Sequence, residues 1–213
     1  MRIIMDARQA QLERVGVAVY CKNLIGQFSE YDQDFQFILL ASLDSSAILS
    51  EFEDRYLDIR YVAPSQESSS VRKLLWYIKL PFLLNKIGCD LYFGPFIKFP
   101  FIDYKCKTVF TLHDAASITE NHSSRNNFTK YLNYFFTKNW ADFADGIICI
   151  SSYCRDEFSN IFGPFIESKS RVIHHGLPAE FEGNHAHDVK NKSVVLRKYG
   201  IINNYVITIG TIY

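Results

Sequence analysis

Two residues that can do chemistry stand together directly after a buried strand. The segment "TVFTLHDAAS" places His113 and Asp114 at the end of an apolar run. A histidine in that position can donate a hydrogen bond or exchange a proton near neutral pH. An aspartate can accept bonds from hydroxyl groups, or it can simply cap the next turn. Position alone leaves a binding role and a capping role open.

The loop before the first helix is a second candidate. In "DARQAQLERVGVAVY", Gly16 stands near the predicted helix start. Glycine allows a close approach of the backbone to a ligand, and a helix N-terminus favours a phosphate. The dinucleotide fingerprint G-x-G-x-x-G is absent, which makes a nicotinamide-dependent oxidoreductase a weak alternative. A plain strand-to-helix turn stays open as an interpretation.

Other polar motifs favour structural roles. In "ICISSYCRDEF", Ser151 or Ser152 is expected to cap a helix, because the G-x-S-x-G elbow of a nucleophilic serine is missing. The adjacent His174 and His175 are predicted to point to opposite faces of a strand and therefore not to share a metal. The five cysteines include no C-x-x-C pair, so we expect neither a zinc site nor a disulfide framework. This cysteine usage fits a reducing, cytoplasmic compartment.

These motifs must be positioned by an alternation of strands and helices. Short apolar runs alternate with helical patterns along the chain, which predicts an α/β fold, a Rossmann-like doubly wound parallel sheet. Ligands of such sheets bind beyond the carboxyl ends of the strands. The predicted strands are Arg2–Met5, Phe35–Ala41, Asp58–Val62, Asp90–Phe93, Lys107–Leu112, Gly146–Ile150 and Arg171–His174, and the predicted long helices are Val17–Phe28, Val71–Ile87, Asn127–Phe143 and Ser151–Ile161.

The helix predicted over Val71–Ile87 combines an apolar face with basic residues and no acid. Pro81 is expected to bend or split it. A basic amphipathic helix can lie on an anionic membrane surface, and it can equally pack on a core with a solvated basic face. The basic residues are Arg72, Lys73, Lys79 and Lys86, and the apolar face is predicted to comprise Leu74, Leu75, Ile78, Phe82 and Leu83.

Composition excludes several functional classes. The formal net charge of the 213 residues is +0, so no global field attracts nucleic acid, and we expect no nucleic-acid partner. Hydrophobic residues make up 48%, enough for a real core. No segment is long and apolar enough to span a bilayer, and no secretory signal is visible.

Seven motifs, taken in chain order, resemble those of retaining glycosyltransferases related to glycogen synthase and to the group 1 bacterial mannosyl- and glucosyltransferases. The resemblance covers essentially the whole chain, and the order of the motifs makes it specific. The motifs are "IIMDAR", "VGVAVYCKNL", "DLYFGP", "TVFTLHDAAS", "ADGIICISSYCRDEF", "RVIHHGL" and "YVITIGTIY".

The resemblance implies one half of a GT-B fold, in which two Rossmann-like domains face a cleft. Residues 1–178 would form the N-terminal, acceptor-binding domain, and residues 179–204 a linker. Residues 205–213 would be the first strand of a C-terminal, donor-binding domain that the chain otherwise lacks. The chain by itself is then expected to be inactive, or to act as a non-catalytic acceptor-binding or regulatory subunit beside a separate donor-binding chain. A remnant without function is a further alternative.

The resemblance also implies roles for individual residues. His113 would be the catalytic residue that hydrogen-bonds the donor sugar, and Gly16 would approach the donor phosphates. Val17, Asp114 and Gly210 would contribute to substrate binding, and the family needs neither a metal nor a separate cofactor. Many relatives differ at four positions, with glycine at Ala18, arginine at Val19, and asparagine at both Phe96 and His175.

The implied substrates are a nucleotide-sugar donor and a saccharide or lipid-linked acceptor. The implied reaction is sugar transfer with retention at the anomeric carbon, in the biosynthesis of surface polysaccharide, lipopolysaccharide included. We expect the protein to work in the cytoplasm, with peripheral contact to the inner face of the cytoplasmic membrane through Val71–Ile87.

Overall fold

A computed structural model describes residues 1–11, 16–30, 35–52, 57–65, 68–96, 105–115, 118, 127–176 and 189–202. The chain divides into two compact units, Met1–His175 and Gly176–Tyr213. The first unit contains every strand described below. In the second unit the structure describes one helix.

A seven-stranded sheet forms the centre of the first unit. All neighbouring strands pair in parallel, in the order β3-β2-β1-β4-β5-β6-β7. The predicted Rossmann-like α/β fold with a doubly wound parallel sheet is therefore confirmed. The strands are β1 Arg2–Asp6, β2 Gln36–Ala41, β3 Leu57–Tyr61, β4 Leu91–Gly94, β5 Lys107–Leu112, β6 Gly146–Cys149 and β7 Ser170–Val172.

Both faces of the sheet are buried, because successive side chains of each strand alternate between two cores. Ile4 of β1 packs in one core, and Met5 packs in the other. Ile38 and Leu39 of β2 divide in the same way. This explains why the strands appear in the sequence as continuous apolar runs, without the alternation of a half-exposed strand.

Seven α-helices surround or follow the strands in the described part of the chain. The helix predicted over Asn127–Phe143 has those bounds in the structure. The others begin or end within a few residues of the prediction, and two short ones were not predicted. The helices are α1 Gly16–Ser29, α2 Ser46–Leu49, α3 Ser70–Ile87, α4 Asn127–Phe143, α5 Ser152–Phe162, α6 Phe165–Lys169 and α7 Val189–Lys198.

The structure corrects the apolar face predicted for α3 and excludes a split at Pro81. The helix runs through Pro81 as one element, so it is not split there. Its core-facing side carries Trp76, Leu80 and Leu84, which are buried in the same core as Ile4. The predicted apolar face is instead largely exposed, as Leu75, Ile78 and Phe82 show. The sequence contains two apolar stripes on this helix, and the stripe with the tryptophan is the one that packs on the sheet.

Local interactions determine where α3 begins and where it ends. The Ser69 hydroxyl accepts a hydrogen bond from the Arg72 amide and caps the N-terminus. Gly88 ends the helix at φ 78°, a left-handed conformation that favours glycine. In the second unit, α7 begins at Val189, within the range predicted as a linker. Residues 205–213 lie outside the described residues.

Candidate functional site

Helix α1 presents its N-terminal turn at the carboxyl edge of the sheet. Its first residue, Gly16, is exposed, and a Cβ atom built there would meet no described residue within 4 Å. Val17 is half-buried, whereas the methyl group of Ala18 is buried in the protein. The methyl that Ala18 adds relative to many relatives is therefore buried, whereas Gly16 is exposed. Tyr20 follows one turn after Gly16 and lies on the same side of the helix.

Three rings from distant parts of the chain meet here, and we call Tyr20, His113 and His175 the ring group. Tyr20 stacks on His175, with ring centroids 4.5 Å apart and an interplanar angle of 20°. It meets His113 edge to face at 5.2 Å. The two histidines lie 5.6 Å apart. The ring group thus joins α1, the residue after β5 and a residue shortly after β7.

A backbone carbonyl determines which nitrogen of His113 carries the proton. Nε2 lies 2.8 Å from the carbonyl oxygen of Pro95, which can only accept a hydrogen bond. Nε2 therefore donates, and in the neutral ring Nδ1 keeps its lone pair. A ligand group that bonds to neutral His113 at Nδ1 must itself be a donor, such as a sugar hydroxyl. Phe96 lies beside the same ring, with centroids 6.1 Å apart.

The surroundings keep both histidines of the ring group neutral near physiological pH. Burial lowers the pKa of His113, and the positive charge that His175 can carry lowers it further. The Pro95 carbonyl and the Asp114 carboxylate act in the opposite direction without reversing the shift. The pKa of His175 is also lowered by burial. The ring group is therefore suited to hydrogen bonding more than to carrying positive charge.

The sheet anchors Tyr20 through a buried hydroxyl. Tyr20 Oη lies 3.1 Å from Oγ1 of Thr111, which is 0% exposed on β5. Burial raises the pKa of Tyr20, although the bond to Thr111 opposes this shift. The contact fixes the tyrosine ring against the strand that ends at Leu112, next to His113. Tyr20 therefore connects the start of α1 to the position of the histidine.

A second polar cluster lies at the end of β1, beside β4, where the strand order reverses. Arg8 donates from Nε and Nη2 to both carboxylate oxygens of Asp6, at 2.9 and 2.5 Å. The Tyr92 hydroxyl donates to the same carboxylate at 3.3 Å. The Arg8 guanidinium also lies over the rings of Trp76 and Tyr77, at 5.7 and 5.2 Å.

The charge of this cluster is stabilised within the protein. Arg8 is only 6% exposed. Burial by itself would lower the pKa of Arg8, but the Asp6 carboxylate outweighs it and raises the pKa. Strand-order reversals are where α/β sheets commonly bind ligands. The cluster is therefore a buried, hydrogen-bonded group of polar side chains at the place where a ligand site is expected.

The predicted site residues have different outcomes. The structure brings His113 into the ring group, with Gly16 and Val17 in the first turn of the helix that supplies Tyr20. Asp114 follows His113 and is exposed. Gly210 lies outside the described residues. Tyr20, Thr111 and Arg8 were missed, although the spacing of Gly16 and Tyr20 on one helix face could have indicated the tyrosine.

The remaining motifs have structural roles. Ser151 caps α5 by accepting a bond from the Cys154 amide, as one of the two predicted alternatives required. Strand β7 ends at Val172, before the two histidines that were predicted at its end. His174 bonds through Nδ1 to the Ile150 carbonyl at 3.1 Å and is turned away from the ring group.

The described residues contain no group of three or more His, Cys, Asp or Glu side chains arranged to hold a metal ion. All five cysteines lie in the described ranges, and each is a free thiol. Among the helices that the structure describes, none has the length and apolar character needed to cross a bilayer.

Comparison with known proteins relates the chain to one family. A family model described as Glycosyltransferase Family 4 matches residues 15–181. That range contains α1, all of the ring group, and strands β2 to β7. None of the curated proteins matches the chain by sequence.

Solved structures resemble the chain at low sequence identity. A glycosyltransferase from Rickettsia africae is 12% identical, with a TM-score of 0.53, and the match covers 95% of this chain and 50% of that one. A UDP-N-acetylglucosamine 2-epimerase from Rickettsia bellii is 10% identical, with a TM-score of 0.50 and coverages of 94% and 51%. MurG from Acinetobacter baumannii is 12% identical, with a TM-score of 0.47 and coverages of 85% and 47%. The chain thus spans about half the length of the solved structures that it matches.

Proposed function

Because the chain belongs to glycosyltransferase family 4, we propose that its sheet domain, residues 1–178, is the acceptor-binding part of a retaining sugar transferase. The donor is a nucleotide sugar, and the acceptor is a saccharide or a lipid-linked saccharide. The product enters a surface polysaccharide or lipopolysaccharide. Residues 179–204 serve as a linker to a donor-binding domain whose first strand corresponds to residues 205–213.

One observation carries the proposal: the neutral His113 of the ring group. Its Nε2–H is committed to the Pro95 carbonyl, so Nδ1 is left to accept a hydrogen bond. Sugars offer hydroxyl donors at every face, and the lowered pKa of His113 keeps the acceptor lone pair available at neutral pH. The arrangement therefore supports a ligand rich in hydroxyl groups.

The residues have distinct roles in the proposed reaction. His113 holds the donor sugar by a hydroxyl and positions its anomeric carbon. The open N-terminal turn of α1, at Gly16 and Val17, faces the diphosphate, where backbone amides and the helix dipole stabilise the charge that develops on the leaving group. Asp114 accepts hydrogen bonds from substrate hydroxyls at the exposed edge, and Gly210 contributes to substrate binding. No metal or separate cofactor takes part in this scheme.

The decisive experiment measures sugar transfer by the native protein from its source cells, together with its variants. A panel of labelled nucleotide sugars is offered with a lipid and oligosaccharide extract. We expect His113→Ala to lower kcat by roughly 100-fold, the usual cost of losing one group that stabilises the transition state. His174→Ala is the matched control, since His174 is the neighbouring histidine outside the ring group, and it should leave kcat within about twofold.

Three outcomes would contradict parts of the proposal. Equal activity of His113→Ala and the wild type would remove the histidine from the site. A product of inverted anomeric configuration would exclude the retaining mechanism. Substantial turnover by purified residues 1–213 alone would show that the sheet domain does not depend on a donor-binding domain.

A non-catalytic role is the second candidate. It is favoured by Phe96 and His175, which stand where many relatives have asparagine and which both lie against the ring of His113. Under this alternative, the chain binds acceptor saccharides and pairs with a separate donor-binding polypeptide. Capture of such a polypeptide by the native protein, together with restored transfer in the mixture, would favour this candidate over the first.

A further inference from the structure

Helix α3 carries a second apolar stripe that the protein core does not use. Val71, Leu75, Ile78 and Phe82 are exposed by 66, 48, 45 and 70%. Their spacing of four, three and four residues places them in one line along the helix. We call these four residues the outer stripe. Single exposed apolar side chains are ordinary, but a contiguous line of four large ones marks an interaction surface.

The outer stripe is not a by-product of core packing. The buried residues Trp76, Leu80 and Leu84 satisfy the core from the opposite side of the same helix. At 100° per residue, the centre of the outer stripe lies about half a turn away from these three. The helix therefore has two apolar faces, of which one is packed against the sheet and the other is largely exposed.

A row of basic residues runs along one side of the outer stripe. Arg72, Lys79 and Lys86 follow one another at intervals of seven residues and are all exposed. The heptad spacing puts them in a line beside Leu75 and Phe82. The sequence of α3 contains no aspartate or glutamate, and none of the three bases forms an ion pair with a described residue.

We propose that the outer stripe of α3 lies on an anionic membrane surface. The four apolar side chains enter the boundary between headgroups and acyl chains, and the basic row contacts the anionic headgroups beside them. From Val71 to Phe82 the stripe is about 16 Å long, at 1.5 Å per residue. Because the stripe runs along the helix axis, the helix lies parallel to the membrane surface when all four side chains are inserted. The core face of the helix stays attached to the sheet and holds the domain above the membrane.

Charge decides between a membrane and a second copy of the chain. In a two-fold symmetric contact, the same patch meets itself, so the three bases of one copy would face those of the other without a carboxylate in between. Such an arrangement is repulsive. An anionic lipid surface supplies the opposite charge along the whole row, and lysine and arginine can reach headgroups while their stems cover apolar area.

The contact is tested by sedimentation of purified residues 1–213 with vesicles. One set of vesicles is phosphatidylcholine alone, and the other contains roughly a third phosphatidylglycerol, a content that supplies the negative surface potential. We expect binding to the anionic vesicles, weaker binding to the neutral ones, and a decrease of binding at high salt. The assay needs no nucleotide sugar, so its result is separate from the fate of the proposed transfer reaction.

Matched variants separate the apolar stripe from the rest of the surface. Leu75→Gln with Phe82→Gln should lower partitioning by roughly tenfold or more, since two large apolar side chains no longer leave water. The control is Tyr131→Gln with Phe143→Gln, two residues of α4 with exposures of 65 and 66%. Glutamine is a good helix former, so both pairs preserve the helix. Thermal melting checks that the variants remain folded.

A second pair tests the basic row. Each base near an anionic surface contributes about a fivefold gain in binding, so Lys79→Gln with Lys86→Gln should lower partitioning roughly 25-fold on anionic vesicles only. The control is Lys105→Gln with Lys138→Gln, which removes the same charge from exposed positions outside α3.

The outcomes divide clearly. Selective loss of binding in the two α3 variants supports the proposal. Absence of binding to any vesicle overturns it, as does an equal loss in the α4 control. A concentration-dependent dimer that Leu75→Gln with Phe82→Gln dissociates would assign the outer stripe to a second copy of the chain.

Discussion

Arg8 and Asp6, which are separated by one residue, form a buried, bidentate ion pair. The Arg8 side chain is 7% exposed and the Asp6 side chain 13%. The pair closes the end of β1 and is covered by Trp76 and Tyr77 of α3. Because α3 and β1 come from distant parts of the chain, the pair links a loop of the candidate site to the packing of the domain.

Arg8→Gln is expected to lower the free energy of unfolding by about 3–5 kcal/mol, because it leaves the Asp6 charge buried without its partner. Urea denaturation, followed by the fluorescence of the first unit, measures the change in the free energy of unfolding. The control is Arg60→Gln, which breaks an exposed pair with Asp58 in which both side chains are 37% accessible. That substitution should cost less than about 1 kcal/mol. Equal effects would show that burial does not strengthen the Arg8 pair.

Tyr20→Phe is expected to cost about 1–2 kcal/mol of stability. The substitution keeps the ring stacked on His175 but leaves Oγ1 of Thr111 buried without its bond. The double variant with Thr111→Val should cost no more than the single one, since neither polar group remains. A double-mutant cycle of urea midpoints measures the coupling, and simple additivity would contradict the bond.

Gly88→Ala and Gly26→Ala are expected to change stability in opposite directions. Gly88 has φ 78°, and an added Cβ would lie 2.7 Å from Nη1 of Arg2, so alanine should cost about 1–2 kcal/mol. Gly26 lies inside α1, where the one described side chain that a Cβ would meet within 4 Å is Phe52, at 3.7 Å. Alanine there should add roughly 0.5–1 kcal/mol. Thermal melts of both variants, beside the wild type, test the sign of each change.

Protonation of the ring group is expected to oppose folding. The pKa values of His113 and His175 are lowered from the ordinary 6.5 in the folded protein. As the pH falls below about 6.5, the unfolded chain takes up protons first, so stability decreases with decreasing pH in that window. Histidine NMR titration should give midpoints below 6.5 for both rings. Unfolding at pH 7.5 and 5.5 should show a smaller pH dependence in His113→Gln with His175→Gln.

The sheet could be predicted from the sequence because its strands are buried on both faces. Apolar runs such as Gln36–Ala41 and Lys107–Leu112 have few alternatives to a doubly covered strand. Helix α3 shows that periodicity alone does not identify the buried face of a helix. Its sequence has two apolar stripes, and periodicity cannot tell the stripe with Trp76 from the one with Phe82. Only the packing against the sheet distinguishes them.

The candidate site was predicted in part, for a similar reason. His113 follows a strand directly, and local sequence is enough to place it at the carboxyl edge. The partners of His113 come from positions far away in the chain, since Tyr20 belongs to α1 and His175 follows β7. Arg8 was missed because a charged residue in a loop ordinarily remains in water. Its burial depends on aromatic residues of α3 that no local pattern connects to it.

The pairing of β1 with β4 has a consequence for the order of folding. Every other neighbouring pair in the sheet joins strands that are consecutive in the chain, whereas β1 and β4 meet across β2, β3 and α3. The bond from the Arg2 amide to Asp90 spans 88 residues. Closing so large a loop costs more chain entropy than any of the local pairings. We therefore expect the sets β1–β3 and β4–β7 to form first and to pair with each other last. Helix α3, which connects the two sets in the chain, should pack at that final step. In pulse-labelled hydrogen exchange during refolding, the amides between β1 and β4 should be the slowest of the sheet to gain protection.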